Sequence, residues 1–162
     1  MVVEIRDYRP ADRDVVIELS LRAWAPNFAS LETVLGTELD RRLHGEDWRV
    51  YQARSVGETL ASPANRSWVA HAGGRPCGFV VATVADPERR LGEIEMLAVD
   101  PSDQRHGVGR QLTDHATAWL REAGMRVAMI GTGGDPGHAA ARRLYERAGY
   151  EKLPIARYFK AL

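Results

Sequence analysis

The residue types best able to do chemistry crowd into one stretch, Glu93 to Arg110. It opens with Glu93-Ile94-Glu95-Met96-Leu97-Ala98-Val99, turns at Asp100-Pro101, and runs through Gln104-Arg105-His106-Gly107-Val108-Gly109-Arg110 into a helical pattern. The first four N–H groups of a helix have no partner inside it, and with the helix dipole they can hold an anion. Gly107 and Gly109 let backbone approach such a guest closely. Arg105 and Arg110 add positive charge, so the loop suits a pyrophosphate without a metal. Strand alternation sets Glu93, Glu95, Leu97 and Val99 on one face, opposite Ile94, Met96 and Ala98. Two carboxylates then share a face with the strand edge that leads into the loop, where either could take a proton.

Two common phosphate loops do not fit. A Walker A loop needs GxxxxGK followed by Ser or Thr, which is absent. A dinucleotide fingerprint needs a third glycine where this chain has Leu112, and it follows the first strand of a βαβ unit. Here three or four strand-like runs come first.

The elements that must position these residues read as follows. Residues 2–8 form a strand, and Pro10 and Asp12 open a helix carrying Val15, Val16, Leu19 and Ala23 at helical period. Residues 30–61 read as amphipathic helix, broken near Gly45. Trp68 to Ala72 and Gly78 to Ala85 are strands joined through Gly73-Gly74-Arg75-Pro76, a hairpin signal. Leu91 to Val99 is the next strand, followed by a helix from about Gly107 with Val108, Leu112, Ala116, Trp119, Leu120 and Ala123 on one face. Val127 to Ile130 is a short strand. Asp135-Pro136 caps a last helix that Gly149 closes, and Ile155 to Lys160 reads as a final strand. The order β-α-α-β-β-β-α-β-α-β predicts an α/β (α+β) domain, a mixed sheet with helices on both faces.

The chain of 162 residues fits a single domain spanning 1–162. Its 22 basic and 22 acidic residues cancel, which argues against duplex nucleic acid as partner. The opening MVVEIRDYRPADRD lacks the apolar run of a signal peptide, and no run of membrane-spanning length follows, so the expectation is a cytoplasmic protein with no membrane partner. Cys77 sits in an apolar run and reads as a small core residue. His44, His71, His106, His115 and His138 show no metal-binding spacing, so no metal is expected.

The pattern Gln104-x-x-Gly107-x-Gly109 after Val99-Asp100-Pro101, joined by Ala141-x-x-x-Tyr145-x-x-x-Gly149-Tyr150, resembles the GNAT superfamily of N-acetyltransferases. The resemblance implies a mostly antiparallel central sheet of six to seven strands whose fourth and fifth strands splay apart. It implies acetyl-CoA as co-substrate, its pyrophosphate on the backbone of Arg105, His106, Gly107, Val108, Gly109 and Arg110, with Gln104 leading the motif. The pantetheine arm would run along Leu97, Ala98 and Val99, with the Leu97 N–H polarising the thioester carbonyl. Ala141 and Tyr145 would face the same arm, and Tyr145 would give a hydrogen bond or proton to the leaving sulfur. Glu95 would be the base in preference to Glu93, often through water. His138 stands where the family commonly has Asn, a departure that still allows a hydrogen bond to the arm. The run Gly131-Thr132-Gly133-Gly134-Asp135 is richer in glycine than the family's, and its role stays open.

The acceptor would be a small-molecule or peptide amine framed by residues 22–64, among them Trp24, Asn27, Phe28, Glu32, Trp48, Tyr51 and Gln52. Trp24 and Phe28, with Tyr158 from the last strand, are candidate pocket walls. A homodimer is compatible with this reading. Two alternatives stay open: a non-catalytic acyl-CoA-binding regulatory module, and a transferase using a longer acyl donor.

Overall fold

The computed structural model describes residues 2–162. Five strands form one sheet: β1 (Val3–Asp7), β2 (Asn65–Ala72), β3 (Arg75–Asp86), β4 (Leu91–Val99) and β5 (Val127–Ile130), in that spatial order. The first four pair antiparallel, and β4 pairs parallel with β5. The β2–β3 hairpin turns on Gly73 and Gly74, both at positive φ (58° and 77°), the conformation that a tight two-residue hairpin demands.

Helices α1 (Arg13–Leu35), α2 (Thr37–His44) and α3 (Trp48–Ala61) follow β1, α4 (Val108–Glu122) follows β4, and α5 (Ala139–Arg147) follows β5. Strand alternation divides the core into two layers. Trp68, Ala70, Val80 and Ala82 pack with Val108, Leu112, Ala116 and Leu120 of α4. On the opposite face Val69, Phe79, Val81 and Ala98 pack with Val16, Leu19 and Ala23 of α1 and Val56 and Leu60 of α3. Cys77 is fully buried in the α4 layer, and burial pushes its thiol pKa up, as suits a packing residue. No helix among the described residues is long and apolar enough to cross a membrane.

The structure corrects three sequence expectations. The final strand, Ile155 to Lys160, does not form; the segment has no strand partner and is exposed, so the sheet has five strands. No new helix begins at residue 30, where the second helical stretch was expected; the first helix runs on to Leu35, through Pro26 at the cost of one internal hydrogen bond. Gly36 and Gly45, both at positive φ, then divide the remaining helical stretch.

The third correction concerns β4. Val81 pairs with Met96 but Ala82 pairs with Ile94, so Glu95 is an extra residue, a β-bulge. The bulge resets the alternation. Ile94, Leu97 and Val99 belong to the α4 layer, while Met96 and Ala98 belong to the α1 layer. Leu97 and Val99 therefore do not share a face with Met96 and Ala98, as expected, but neither do they oppose Ile94.

Candidate active site

Pairing between β4 and β5 covers only Leu91–Ile94 with Val127–Ile130. Glu95 to Val99 continue without a β5 partner, so the two strands part as the sequence implied. A cavity of about 230 Å³ opens at the parting. Ile94, Glu95, Met96 and Leu97 form its floor, Trp24, Asn27, Phe28 and Leu31 of α1 with Gln52 of α3 one wall, and Ile130, Gly131, Thr132, His138, Ala141 and Tyr145 the other.

The aromatic wall is anchored from behind. Trp24 meets the buried Phe79 edge-on at 6.0 Å, and Phe28 stacks on Trp48 at 4.3 Å. Asn27 and Gln52 reach the cavity, whereas Glu32, Trp48 and Tyr51 are not among its lining residues, and Tyr158 is 91% exposed on the C-terminal tail.

Glu95 is the only carboxylate on the lining, and no Lys or Arg joins it among the described residues. Its Oε2 accepts a hydrogen bond from Asn65 Nδ2 at 3.1 Å. Glu93 is not part of the lining; burial, then the charge of Glu95, raise its carboxyl above the ordinary range.

Tyr145 approaches from α5. Burial, then the neighbouring Tyr150, push its phenol up to about 12. It is therefore protonated throughout the physiological range, and its hydroxyl has no hydrogen-bond partner among the described residues. A thiol of pKa ~8.5 is a far stronger acid than such a phenol. Tyr145 is suited to donate a hydrogen bond to a forming thiolate rather than to surrender its proton outright.

The glycine loop has the form the sequence implied. Gly107 caps α4 at φ 85°, a conformation costly for any residue with a Cβ, and no side chain caps the helix. The first internal bond runs from Gln111 N–H to the Gly107 carbonyl (3.0 Å), so the N–H groups of Val108, Gly109 and Arg110 lack partners within the helix. Gln104 ties the loop to the end of β4 through Nε2 and the Val99 carbonyl (3.1 Å). Gly109 has a packing role too, since a Cβ there would stand 3.1 Å from Leu144 of α5. The arginines divide. Arg110 is engaged with Asp114 (2.7 Å) and the Arg147 carbonyl (2.6 Å), whereas Arg105, at φ 66°, makes no ion pair among the described residues. His106 is exposed beside it. Ala98 and Val99 bury their side chains, so any contact they make with a guest in the gap falls to their backbone.

A polar cluster around residues 133–142 escaped sequence reading. Asp135 bonds both to Ser30 of α1 and to His138, and Arg142 donates to the carbonyls of Gly133 and Asp135. The i,i+3 spacing of Asp135 and His138 was visible, but Ser30 lies 105 residues away and no local pattern could have announced it.

Residues 31–150 match the model of the acetyltransferase (GNAT) family. The mycothiol acetyltransferase of Tsukamurella paurometabola is 36% identical over 153 residues, covering 93% of this chain and 49% of that protein. The mycothiol acetyltransferase of Beutenbergia cavernae is 34% identical over 110 residues, 68% of this chain and 35% of its own length. The chain thus spans half or less of the length of these relatives. Among solved structures, the aminoglycoside N-acetyltransferase AAC(6')-Iy in complex with CoA shares the fold, with TM-score 0.67 and 18% identity over 99% of this chain and 95% of that one.

Proposed function

The chain belongs to the acetyltransferase (GNAT) family, and from that premise we propose that it transfers an acetyl group from acetyl-CoA to the amine of a small polar acceptor by direct attack. The observation that carries the acceptor class is the cavity lining, which among the described residues has one carboxylate, Glu95, and no Lys or Arg. A lone anion beside neutral Asn27 and Gln52 suits an ammonium and repels a carboxylate. The aminoglycoside acetyltransferase that shares the fold was solved with CoA, which supports the same donor here.

The N–H groups of Val108, Gly109 and Arg110, with Arg105, would hold the pyrophosphate. The unpaired edge of β4 from Glu95 to Val99 would take the pantetheine arm as an added strand, with Ala141 and His138 on its other side. The Leu97 N–H would stabilise the oxyanion of the tetrahedral adduct. An alkylamine is largely protonated near neutrality, with pKa ~10.4 for a lysine-like group, so Glu95 would receive the ammonium and draw off a proton, directly or through water. Tyr145 would donate to the departing sulfur. The cavity volume lies below the ~300–1,000 Å³ usual for whole drug-sized ligands. It suits the thioester and the reacting end of an acceptor.

An amine panel with acetyl-CoA, reading free thiol and N-acetylated product together, tests this reading. The expected result is one thiol per amide. Tight acetyl-CoA binding without product from any amine would instead favour a non-catalytic acyl-CoA-binding module.

A further inference from the structure

The glycine-rich run after β5 clears space for a half-buried hydrogen-bonded chain that crosses from α1 to the cavity. Ser30 Oγ donates to Asp135 Oδ2 at 2.5 Å, and the Gly137 N–H donates to Ser30 Oγ at 2.9 Å and to Asp135 Oδ2 at 3.1 Å. The other carboxylate oxygen meets Nδ1 of His138 at 2.5 Å. The side chains are shielded, 7% exposed for Asp135 and 16% for His138. The glycines have a steric reason: a Cβ on Gly133 would collide with the Asp135 carboxylate and stand 2.6 Å from His138 Nδ1, and one on Gly137 would stand 2.5 Å from the Ser30 Cβ.

The protonation pattern follows. Burial alone would favour the neutral acid, but the Ser30 hydrogen bond and the His138 partner prevail, so the Asp135 carboxyl lies below its ordinary range. An ionised carboxylate only accepts hydrogen bonds, so His138 Nδ1 must carry the proton. In the neutral ring Nε2 is then a lone-pair acceptor. It has no partner among the described residues, and the ring lines the cavity that Glu95 and Tyr145 share.

We infer that Asp135 and His138 form a second general base of this site, with His138 Nε2 accepting the proton of the ammonium that Glu95 attracts; the inference rests on the acetyl-transfer reading above. An imidazole is an intrinsically stronger base than a carboxylate by about two pKa units, so a ring nitrogen facing the ammonium is a competent acceptor beside Glu95. The balance is as follows. The ammonium gives one proton to Nε2, and the freed lone pair forms the C–N bond. The adduct nitrogen then sheds a second proton as the C–S bond breaks, and that proton ends on the sulfur beside Tyr145. Nε2 returns the first proton to solvent. Asp135 and Ser30 are positioning residues, fixing the tautomer and the ring. The groups facing His138 are Asp135 on its own loop, Arg142 and Tyr145 of α5, and Glu95 of β4; α1 presents Ser30 but no charged side chain to the cavity.

The test uses the full chain with acetyl-CoA and an amine that the panel shows to be acetylated. His138→Gln is expected to lower kcat/KM about 10²–10⁴-fold near neutrality, to erase the acid limb of the pH profile, and to recover toward wild type as pH nears the amine's own pKa. A ring that only braced the pantetheine arm would instead raise the acetyl-CoA Kd in step with the fall in kcat/KM and leave the pH profile unchanged in shape. Added imidazole should restore turnover to His138→Ala. Asp135→Asn should move the acid limb to lower pH, since losing the carboxylate destabilises the imidazolium. Activity loss in these variants without imidazole rescue, and with the profile unchanged in shape, would make the chain a structural latch and overturn the inference. So would an acid limb that survives His138→Gln but vanishes in Glu95→Gln. Nitrogen NMR of the wild-type ring separates this from failure of the acetyl-transfer reading: the Nδ1–H tautomer is expected whether or not any amine is acetylated, and the Nε2–H tautomer would exclude Nε2 as base.

Discussion

The chain divides near Leu120 into two regions of very different solidity. Up to that residue, the antiparallel strands and helices α1, α3 and α4 contain every buried hydrophobic residue among those described; beyond it, β5, α5 and the tail contain none. Yet the cavity needs both. Glu95 and Leu97 come from the solid region, and His138, Ala141 and Tyr145 from the light one. The light region packs only partly buried apolar side chains (Met125, Ala128, Ile130 and Tyr150) on the α4 layer, and polar ties cross the seam: Ser30 to Asp135, Arg110 to the Arg147 carbonyl, and Thr117 Oγ1 to Tyr150 Oη at 2.7 Å. Few buried apolar contacts imply low local opening energies. One part of the site is a fixed platform, and the other is a flap that a ligand spanning both would consolidate.

The largest effect expected from this contrast is on folding. Phe79→Ala, in the heart of the solid region, should cost about 3–5 kcal/mol, whereas Leu144→Ala in α5 should cost about 1 kcal/mol or less. Urea denaturation of both variants gives the measurement, and similar losses would erase the distinction. Acetyl-CoA bound across the seam as proposed should stabilise by about 2.7 kcal/mol at a hundredfold excess over Kd. Hydrogen exchange should show that protection appearing first along α5 and β5. Protection confined to β2–β4 would mean the flap does not close on the ligand.

A smaller effect concerns acid. Arg6 clamps Asp12 with two bonds of 2.8 Å, and that hydrogen bonding outweighs burial to lower the Asp12 carboxyl. A carboxyl lowered on folding contributes stability that is fully present above its unfolded value, ~3.9, and lost as pH falls through the folded one. Asp12→Asn should cost about 1–3 kcal/mol at pH 7 and should flatten the stability decline below pH ~4. An unchanged acid midpoint would refute the assignment. The smallest effect belongs to the tail: Ile155 is 78% exposed, so Ile155→Ser should change stability by less than about 0.5 kcal/mol. A larger loss would show that the tail docks on the free edge of β5.

The same contrast governs what the sequence disclosed. The β2–β3 hairpin, the apolar face of α4 and the Gly107 cap are local features, fixed by periodicity and by the φ that only glycine adopts easily. They were legible, and with them the platform side of the cavity. The bulge at Glu95 was not, because an inserted residue leaves an apolar-polar pattern that strict alternation fits equally well. Nor was the Ser30–Asp135 bond, which depends on α1 running past Pro26 to face a loop from the other end of the chain. Residues 155–160 carry Ile155, Tyr158 and Phe159 in a stretch that reads as a strand. Composition alone does not make a strand where no partner is paired.

The most direct test of transfer at this seam is Tyr145→Phe, measured as kcat and acetyl-CoA Kd on one acetylated amine. A hydroxyl acting on charge that develops at sulfur contributes to the transition state and little to the ground state. The expected result is a fall in kcat of about 10²–10³-fold, the usual cost of losing one hydrogen-bond donor to developing charge, with Kd nearly unchanged. Full activity in the Phe variant, or a loss confined to cofactor affinity, would contradict it and leave Tyr145 as a packing residue of the flap.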